Sequence, residues 1–261
     1  MSEPLSGQHA VVTGGGRGIG ASIALALVRK GANVTLLGRT AATLRDQVRH
    51  LREEVPSAKV QDILADLGDA DSIEGAFAAA KRGFGGVDIL VNNAGQAASA
   101  PIAKTNLDLW RQMLEVNLTG TFLCMQSVLP GMRQRKSGRI INIASTAGLV
   151  GYRYVAAYCA AKHGVIGLTR AVALEVATEN ITVNAVCPGY TDTDMVNDTV
   201  ANIVAKTGRG ENEVRAGLAS SNPQRRLVRP EEVANAVLWL CLPGSAAMNG
   251  QALSISGGEV T

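Results

Sequence analysis

The chain has 261 residues, 46% of them hydrophobic but only 3% aromatic, and a formal net charge of +3. Its one basic run, Arg133–Arg139, is short, lacks neighbouring aromatics and falls where a helix should end, so nucleic-acid binding is not expected. No apolar stretch approaches the roughly 20 residues that span a bilayer, and Met1–Gly7 has no signal-peptide core, so no membrane association is expected.

Short apolar runs alternate with longer amphipathic ones, and no linker interrupts them. In chain order the strand candidates are His9–Thr13, Asn33–Leu37, Lys59–Leu64, Ile89–Asn92, Arg139–Ala144, Thr182–Cys187 and Ala252–Ile255. Helices are predicted over Gly18–Lys30, Ala41–Glu54, Asp69–Arg82, Leu107–Met132, Val155–Thr178 and Pro230–Cys241. Repeated strand–helix alternation implies right-handed crossovers. The expectation is a single α/β domain over 1–261, a doubly wound parallel seven-stranded sheet of Rossmann type with helices on both faces. Thr191–Pro223 breaks the rhythm, being polar and too long for an ordinary connection, and reads as an inserted substrate lid. Cys124, Cys159, Cys187 and Cys241 show no CxxC spacing and sit among apolar residues. They read as free thiols of a reducing, cytoplasmic compartment. His9, His50 and His163 are too dispersed for a zinc site.

The first strand leads into Thr13-Gly14-Gly15-Gly16-Arg17-Gly18-Ile19-Gly20 and then directly into a helix. Flexible loops also collect glycine, but a strand before and a helix after supply the context for pyrophosphate binding at a helix N-terminus. The second strand ends in Leu37-Gly38-Arg39-Thr40, with no acid to hold ribose hydroxyls. Arg39, with Arg17 from the glycine loop, suits a 2′-phosphate, so the expected cofactor is NADP(H).

Tyr158-Cys159-Ala160-Ala161-Lys162 places a phenol and an ammonium at i and i+4 on one helix face. A free tyrosine titrates near pH 10. A cation about 4 Å away, at an effective dielectric of 20, supplies at most about 4 kcal/mol, or roughly three pKa units, toward the phenolate. Ser145 lies thirteen residues before Tyr158, at the end of a strand, where a hydroxyl can project into a cleft or cap the next helix.

Taken together, Thr13–Gly20, Asp66, Asn92-Asn93-Ala94-Gly95, Asn117, Ser145, Tyr158, Lys162, and Pro188-Gly189 followed by Thr193 resemble the short-chain dehydrogenase/reductase family across essentially the whole chain. The resemblance implies hydride transfer between a ketone and a secondary alcohol. It assigns catalysis to Asn117, Ser145, Tyr158 and Lys162. Cofactor binding falls to Gly14, Gly16, Arg17, Gly18, Ile19, Gly20, Arg39, Asp66, Leu67, Asn93, Ala94, Gly95, Tyr158, Lys162, Pro188, Gly189 and Thr193. Asp66 would accept from the adenine amino group, although by itself it could cap the adjoining helix. Asn117 would hold a water beside the lysine, Ser145 would polarise the substrate carbonyl, and Lys162 would also bind the nicotinamide ribose. His163, about 100° around the helix from Lys162, has no role. One departure is Ser256, which precedes Gly257-Gly258 where relatives often carry an acid.

The substrate cleft is expected between Gln96–Pro101, Thr146–Val155 and Tyr190–Pro223, with Gln96, Tyr152, Tyr154, Tyr190 and Met195 as contacts. The C-terminal half resembles ketoacyl-thioester and polyketide ketoreductases, and also 3-hydroxybutyrate dehydrogenases. Between the serine and the tyrosine Arg153 is the only charge. A larger, less anionic ketone is therefore favoured, first a 3-oxoacyl thioester and next a cyclic ketone, polyol, steroid or hydroxybutyrate substrate. A non-catalytic NADP(H)-binding sensor or scaffold would more plausibly have lost one of the four catalytic residues. The helices Leu107–Met132 and Val155–Thr178 are apolar on more than one face, which suggests pairing between subunits or a crossing inside one. The family resemblance implies a homotetramer.

Overall fold

The computed structural model describes residues 3–261. Seven strands form one fully parallel sheet in the order β3-β2-β1-β4-β5-β6-β7. They are β1 (His9–Thr13), β2 (Asn33–Gly38), β3 (Val60–Leu64), β4 (Ile89–Asn92), β5 (Gly138–Ile143), β6 (Ile181–Pro188) and β7 (Ala252–Ile255). Every residue of β1, β4 and β6 is buried. A parallel strand covered on both faces gains from apolar residues at successive positions, as in Ala10-Val11-Val12 and Ile89-Leu90-Val91, while β6 buries Thr182 and Asn184 among its apolar residues. The order reverses beside β1, so β1 and β4 diverge at their carboxyl ends and leave the crevice where such sheets bind ligands.

Helices α1 (Gly18–Val28) and α2 (Ala41–Glu54) precede β3, and α3 (Ala70–Phe84) comes after it. Next come α4 (Leu107–Leu114), α5 (Gly120–Arg135), α6 (Ala156–Glu175), α7 (Asp194–Thr207), α8 (Glu211–Ser220) and α9 (Pro230–Cys241). One face of the sheet packs Val12, Leu36 and Val91 against Ile23, Leu27, Leu51 and Val237. The other packs Val11, Leu90 and Ile140 against Ile73, Phe77, Cys124 and Val128. Asn92 donates to Asn142 (2.9 Å), which donates to Thr169 (2.9 Å), so a buried polar chain ties β4, β5 and α6 together.

Two segments differ from the pattern-based expectation. The helix predicted as unbroken over Leu107–Met132 is interrupted by a π turn, Glu115–Thr119. An extra residue in one turn rotates the helix beyond it, so α4 packs on α6 while α5 packs on α3, β4 and β5. This rotation explains within one subunit much of the apolar surface on several faces. The Thr191–Pro223 excursion is mostly helical: α7 and α8 close over their own cluster of Val196, Val200 and Val214, joined by Tyr190, Ile203, Leu218 and Leu227. Its neck is pinned where Val228 N donates to Tyr190 O (2.8 Å) and Asp192 N to Val228 O (2.9 Å).

Candidate active site

The glycine loop is fastened at both sides before any ligand is considered. Thr13 Oγ1 accepts from the backbone N–H of Asn93 (2.9 Å) and Ala94 (3.0 Å), and Asn93 Nδ2 donates back to Thr13 O (3.0 Å) and Gly14 O (3.2 Å). Gly14 has φ +62°, and a Cβ there would lie 2.9 Å from Ala94 Cα. Only glycine serves at a left-handed position in such close contact. Gly16, Gly18, Ile19 and Gly20 then turn the backbone into the N-terminus of α1. This leaves an open, side-chain-free cradle at the positive end of a helix, a form that fits a pyrophosphate.

Arg17 and Arg39 are exposed at the mouth of this cradle. Arg17 pairs with Asp194 at the start of α7 (3.4 Å), across surface well open to solvent. The guanidinium of Arg39 lies 2.9 and 3.2 Å from the Gln96 amide oxygen in the amide orientation that makes it an acceptor. Gln96, expected as a substrate contact, is thus turned toward Arg39 and Gln112. Asp66 does not cap α3; that cap is Asp69, which accepts from Asp71 N (3.0 Å) and Ser72 N (3.3 Å). Asp66 instead closes its own turn by accepting from Gly68 N (3.0 Å), with Leu67 buried beside it. Across the cradle, Thr193 packs its methyl toward Gly18, and Pro188 and Gly189 end β6 at the crevice.

Asn117, in the π turn, is fully buried. Its Nδ2 donates to Met113 O and Gln96 O (both 2.9 Å), and its Oδ1 accepts from Gln96 N (3.2 Å). The π turn therefore serves a purpose: it aims an amide out of the helix to hold the chain after β4. Gly95 lies under the same amide, where a Cβ would stand 2.7 Å from Asn117 Oδ1 and 3.6 Å from Lys162 Nζ.

Ser145, two residues beyond β5, accepts from Ala147 N (3.1 Å) while its hydroxyl lies beside that of Tyr158. The strand end thus caps the short turn Thr146–Gly148 and presents the same oxygen to the cleft. Lys162, only 4% exposed, donates to Ile143 O (2.8 Å) and stands 5.7 Å from the centre of the Tyr158 ring. Ser145, Tyr158, Lys162 and Asn117 therefore meet at the carboxyl ends of β4 and β5.

Packing adds an effect that the spacing of the two residues does not show. Burial pushes the Tyr158 phenol up to about 12, with Cys159 and Tyr190 adding to the rise and the Ser145 hydroxyl opposing it. Burial likewise brings the Lys162 ammonium down to about 8. Desolvation opposes the charged form of both groups. The lysine's charge alone does not prepare a phenolate. A phenol in this state holds its proton at neutral pH and is set up to give it to a stronger base.

The other expected contacts divide. Tyr152 and Tyr190 meet edge to face with ring centres 6.5 Å apart. Tyr152 OH donates to Glu259 Oε1 (2.7 Å) and accepts from Thr146 Oγ1 (2.9 Å). Tyr154 is 62% exposed at φ +69°, its carbonyl accepting from Ala100 N (2.7 Å), so it forms the cleft rim. Met195 is exposed on α7. His163 turns away and bonds Cys159 O through Nδ1 (2.9 Å). Glu259 is a neighbour that pattern reading missed. The clue lay nearby, in the unusual Ser256-Gly257-Gly258, but the acid falls after the glycine pair.

Residues 8–203 match the family model described as short chain dehydrogenase. A D-beta-hydroxybutyrate dehydrogenase of Rhizobium meliloti is 37% identical over 253 residues, covering 95% of this chain and 97% of the relative. A 3-oxoacyl-(acyl-carrier-protein) reductase of Vibrio cholerae is 37% identical over 254 residues, covering 97% and 98%. Among solved structures, the crystal structure of a Phe-to-Trp variant of actinorhodin polyketide ketoreductase with NADPH superposes with a TM-score of 0.94 at 39% identity, covering 99% of both chains.

Proposed function

The chain belongs to the short-chain dehydrogenase family, and on that premise we propose that it is an NADPH-dependent reductase of ketones to secondary alcohols, with 3-oxoacyl thioesters as the substrate class. The observation that carries the reading is the convergence of Ser145, Tyr158, Lys162 and Asn117 on one crevice beside the glycine cradle.

When bound, NADPH supplies the hydride. The glycine loop, with Asn93 to Gly95, Pro188, Gly189 and Thr193, would hold it, and Arg17 and Arg39 would receive its 2′-phosphate. Ser145 donates to the ketone oxygen and polarises it. Tyr158 delivers its proton to the same oxygen as negative charge develops there, and burial keeps that proton in place until then. Lys162, oriented by Ile143 O, is the nearby ammonium that returns a proton to the phenol. Asn117 fixes the loop over which the ketone enters.

Tyr152, Tyr190 and Met195 form an apolar wall, with Tyr154 at its rim, under a lid made of α7 and α8. The proposed assembly is a homotetramer in the cytoplasm. Exposed Leu107, Phe122 and Leu174 on α4, α5 and α6 support the pairing, and four unpaired cysteines support the compartment. The test is NADPH oxidation with 3-oxoacyl thioesters of rising chain length, acetoacetate and cyclic ketones. Each buried methylene should raise kcat/KM about fourfold until the wall is covered. Activity on cyclic ketones with inert thioesters would reassign the substrate and keep the mechanism. No turnover of any ketone would refute the reading.

A further inference from the structure

The sequence Ser256-Gly257-Gly258-Glu259-Val260 folds as a tight turn at the end of the chain. Ser256 anchors it: its carbonyl accepts from Glu259 N (3.3 Å) and its hydroxyl accepts from Val260 N (3.2 Å). Gly257 and Gly258 both take positive φ, +62° and +95°, and pack against Asn222 and Pro223 at the foot of α8. A side chain at 257 would collide with the Asn222 amide, so the glycine pair is required for the turn to tuck in. The turn swings the Glu259 side chain back under the end of β6.

There one carboxylate oxygen accepts from Tyr152 OH, and the other lies close over Gly189, 2.8 Å from where a Cβ would stand. Tyr152 in turn bonds Thr146, the residue after Ser145, and touches Tyr190. Glu259 is partly buried, and among the described residues no lysine or arginine pairs with it. Burial raises the pKa of both Tyr152 and Tyr190, and the Glu259 charge adds to each rise.

We propose that Glu259 is a specificity-determining residue: its unpaired carboxylate makes the cleft wall negative and turns away ketones that carry a free carboxylate, leaving neutral acyl and cyclic ketones. This rests on the reading of the crevice as a ketone-reducing site. The free oxygen over Gly189 is also an acceptor that a neutral substrate bearing an amide or hydroxyl can meet.

For two charges about 8 Å apart, repulsion lowers kcat/KM by about 2-fold at the dielectric of water and about 30-fold at an effective dielectric of 20. A partly buried carboxylate falls between these, at about tenfold. The experiment compares 3-oxohexanoate with its methyl ester under saturating NADPH, in the wild type and in Glu259→Gln. Glutamine keeps an acceptor for Tyr152 OH while removing the charge. The expected result is that the acid-to-ester ratio of kcat/KM rises about tenfold in the variant. In the wild type the same ratio should climb as salt goes from about 0.05 to 0.5 M, because screening shortens the reach of the charge. That arm needs no variant. A ratio unmoved by both the substitution and salt overturns the proposal while leaving the reductase reading intact. If the wild type reduces neither the ester nor any other neutral ketone, the reductase reading fails and this inference falls with it.

Discussion

Replacing Asn117 by leucine tests whether the π turn exists to aim an amide. Leucine has the same branching and the same number of side-chain heavy atoms, with bulkier methyl groups, so the change deletes polarity without opening a cavity. Three hydrogen bonds are lost: those to Met113 O, Gln96 O and Gln96 N. Met113 O is left in a buried setting, where an orphaned polar group costs about 1–3 kcal/mol. The two Gln96 groups are only partly buried, so water replaces part of what they lose. The sum is about 2–4 kcal/mol. For a chain of this size each kcal/mol moves Tm by about 2–4 °C, which puts the expected fall at roughly 5–12 °C. Because Gly95 and Gln96 then come loose beside Lys162, KM for NADPH should rise and kcat should fall more than tenfold. Calorimetry and steady-state NADPH oxidation read the two effects on one preparation. A variant melting within about 2 °C of wild type, with unchanged kcat, would show that the amide holds nothing and that the turn has another cause.

Tyr158→Phe should remove nearly all turnover and leave NADPH binding intact, since only a transferable proton is lost; retention of more than a tenth of kcat would end its assignment as the acid. Gly38→Asp with Arg39→Ala should move preference from NADPH toward NADH by roughly 10- to 150-fold, the worth of one charge-assisted contact of about 1.5–3 kcal/mol. Equal Kd values for the two cofactors in the wild type would refute the 2′-phosphate site. For ketone reduction, kcat/KM should be level near neutrality and fall as pH rises through about 8, where Lys162 loses its proton, while Tyr158, pushed up to about 12, keeps its own. A profile flat to pH 9.5 would mean that the ammonium is not required.

The sheet was legible because its central strands carry short apolar runs, such as Ile89-Leu90-Val91, bounded by punctuation that a pattern detects. The glycine loop was legible because its residues are contiguous. Asn117 could be picked out by resemblance, but its π turn could not, since one inserted residue leaves a helical apolar pattern almost unchanged. The setting of Tyr158 was legible only in part: spacing reveals the neighbouring charge, whereas desolvation depends on everything packed around the pair. Glu259 lay beyond pattern reading altogether. Its position depends on Gly257 fitting against Asn222, a contact between segments 35 positions apart in the sequence.

The valine cluster under α7 and α8 gives this excursion a cohesion of its own. Fully burying three valines contributes on the order of 5 kcal/mol, much less than the main core provides. The expectation is that the two helices hold to each other and open as one unit from the neck beside Val228, with no strand of the sheet moving. Native-state hydrogen exchange should find their amides opening together, well before those of β1 or β4. The same independence bears on descent. Exposed residues of this excursion, Met195 among them, can change with little penalty to the scaffold beneath, so sequence can diverge there while the crevice at the ends of β4 and β5 stays as it is.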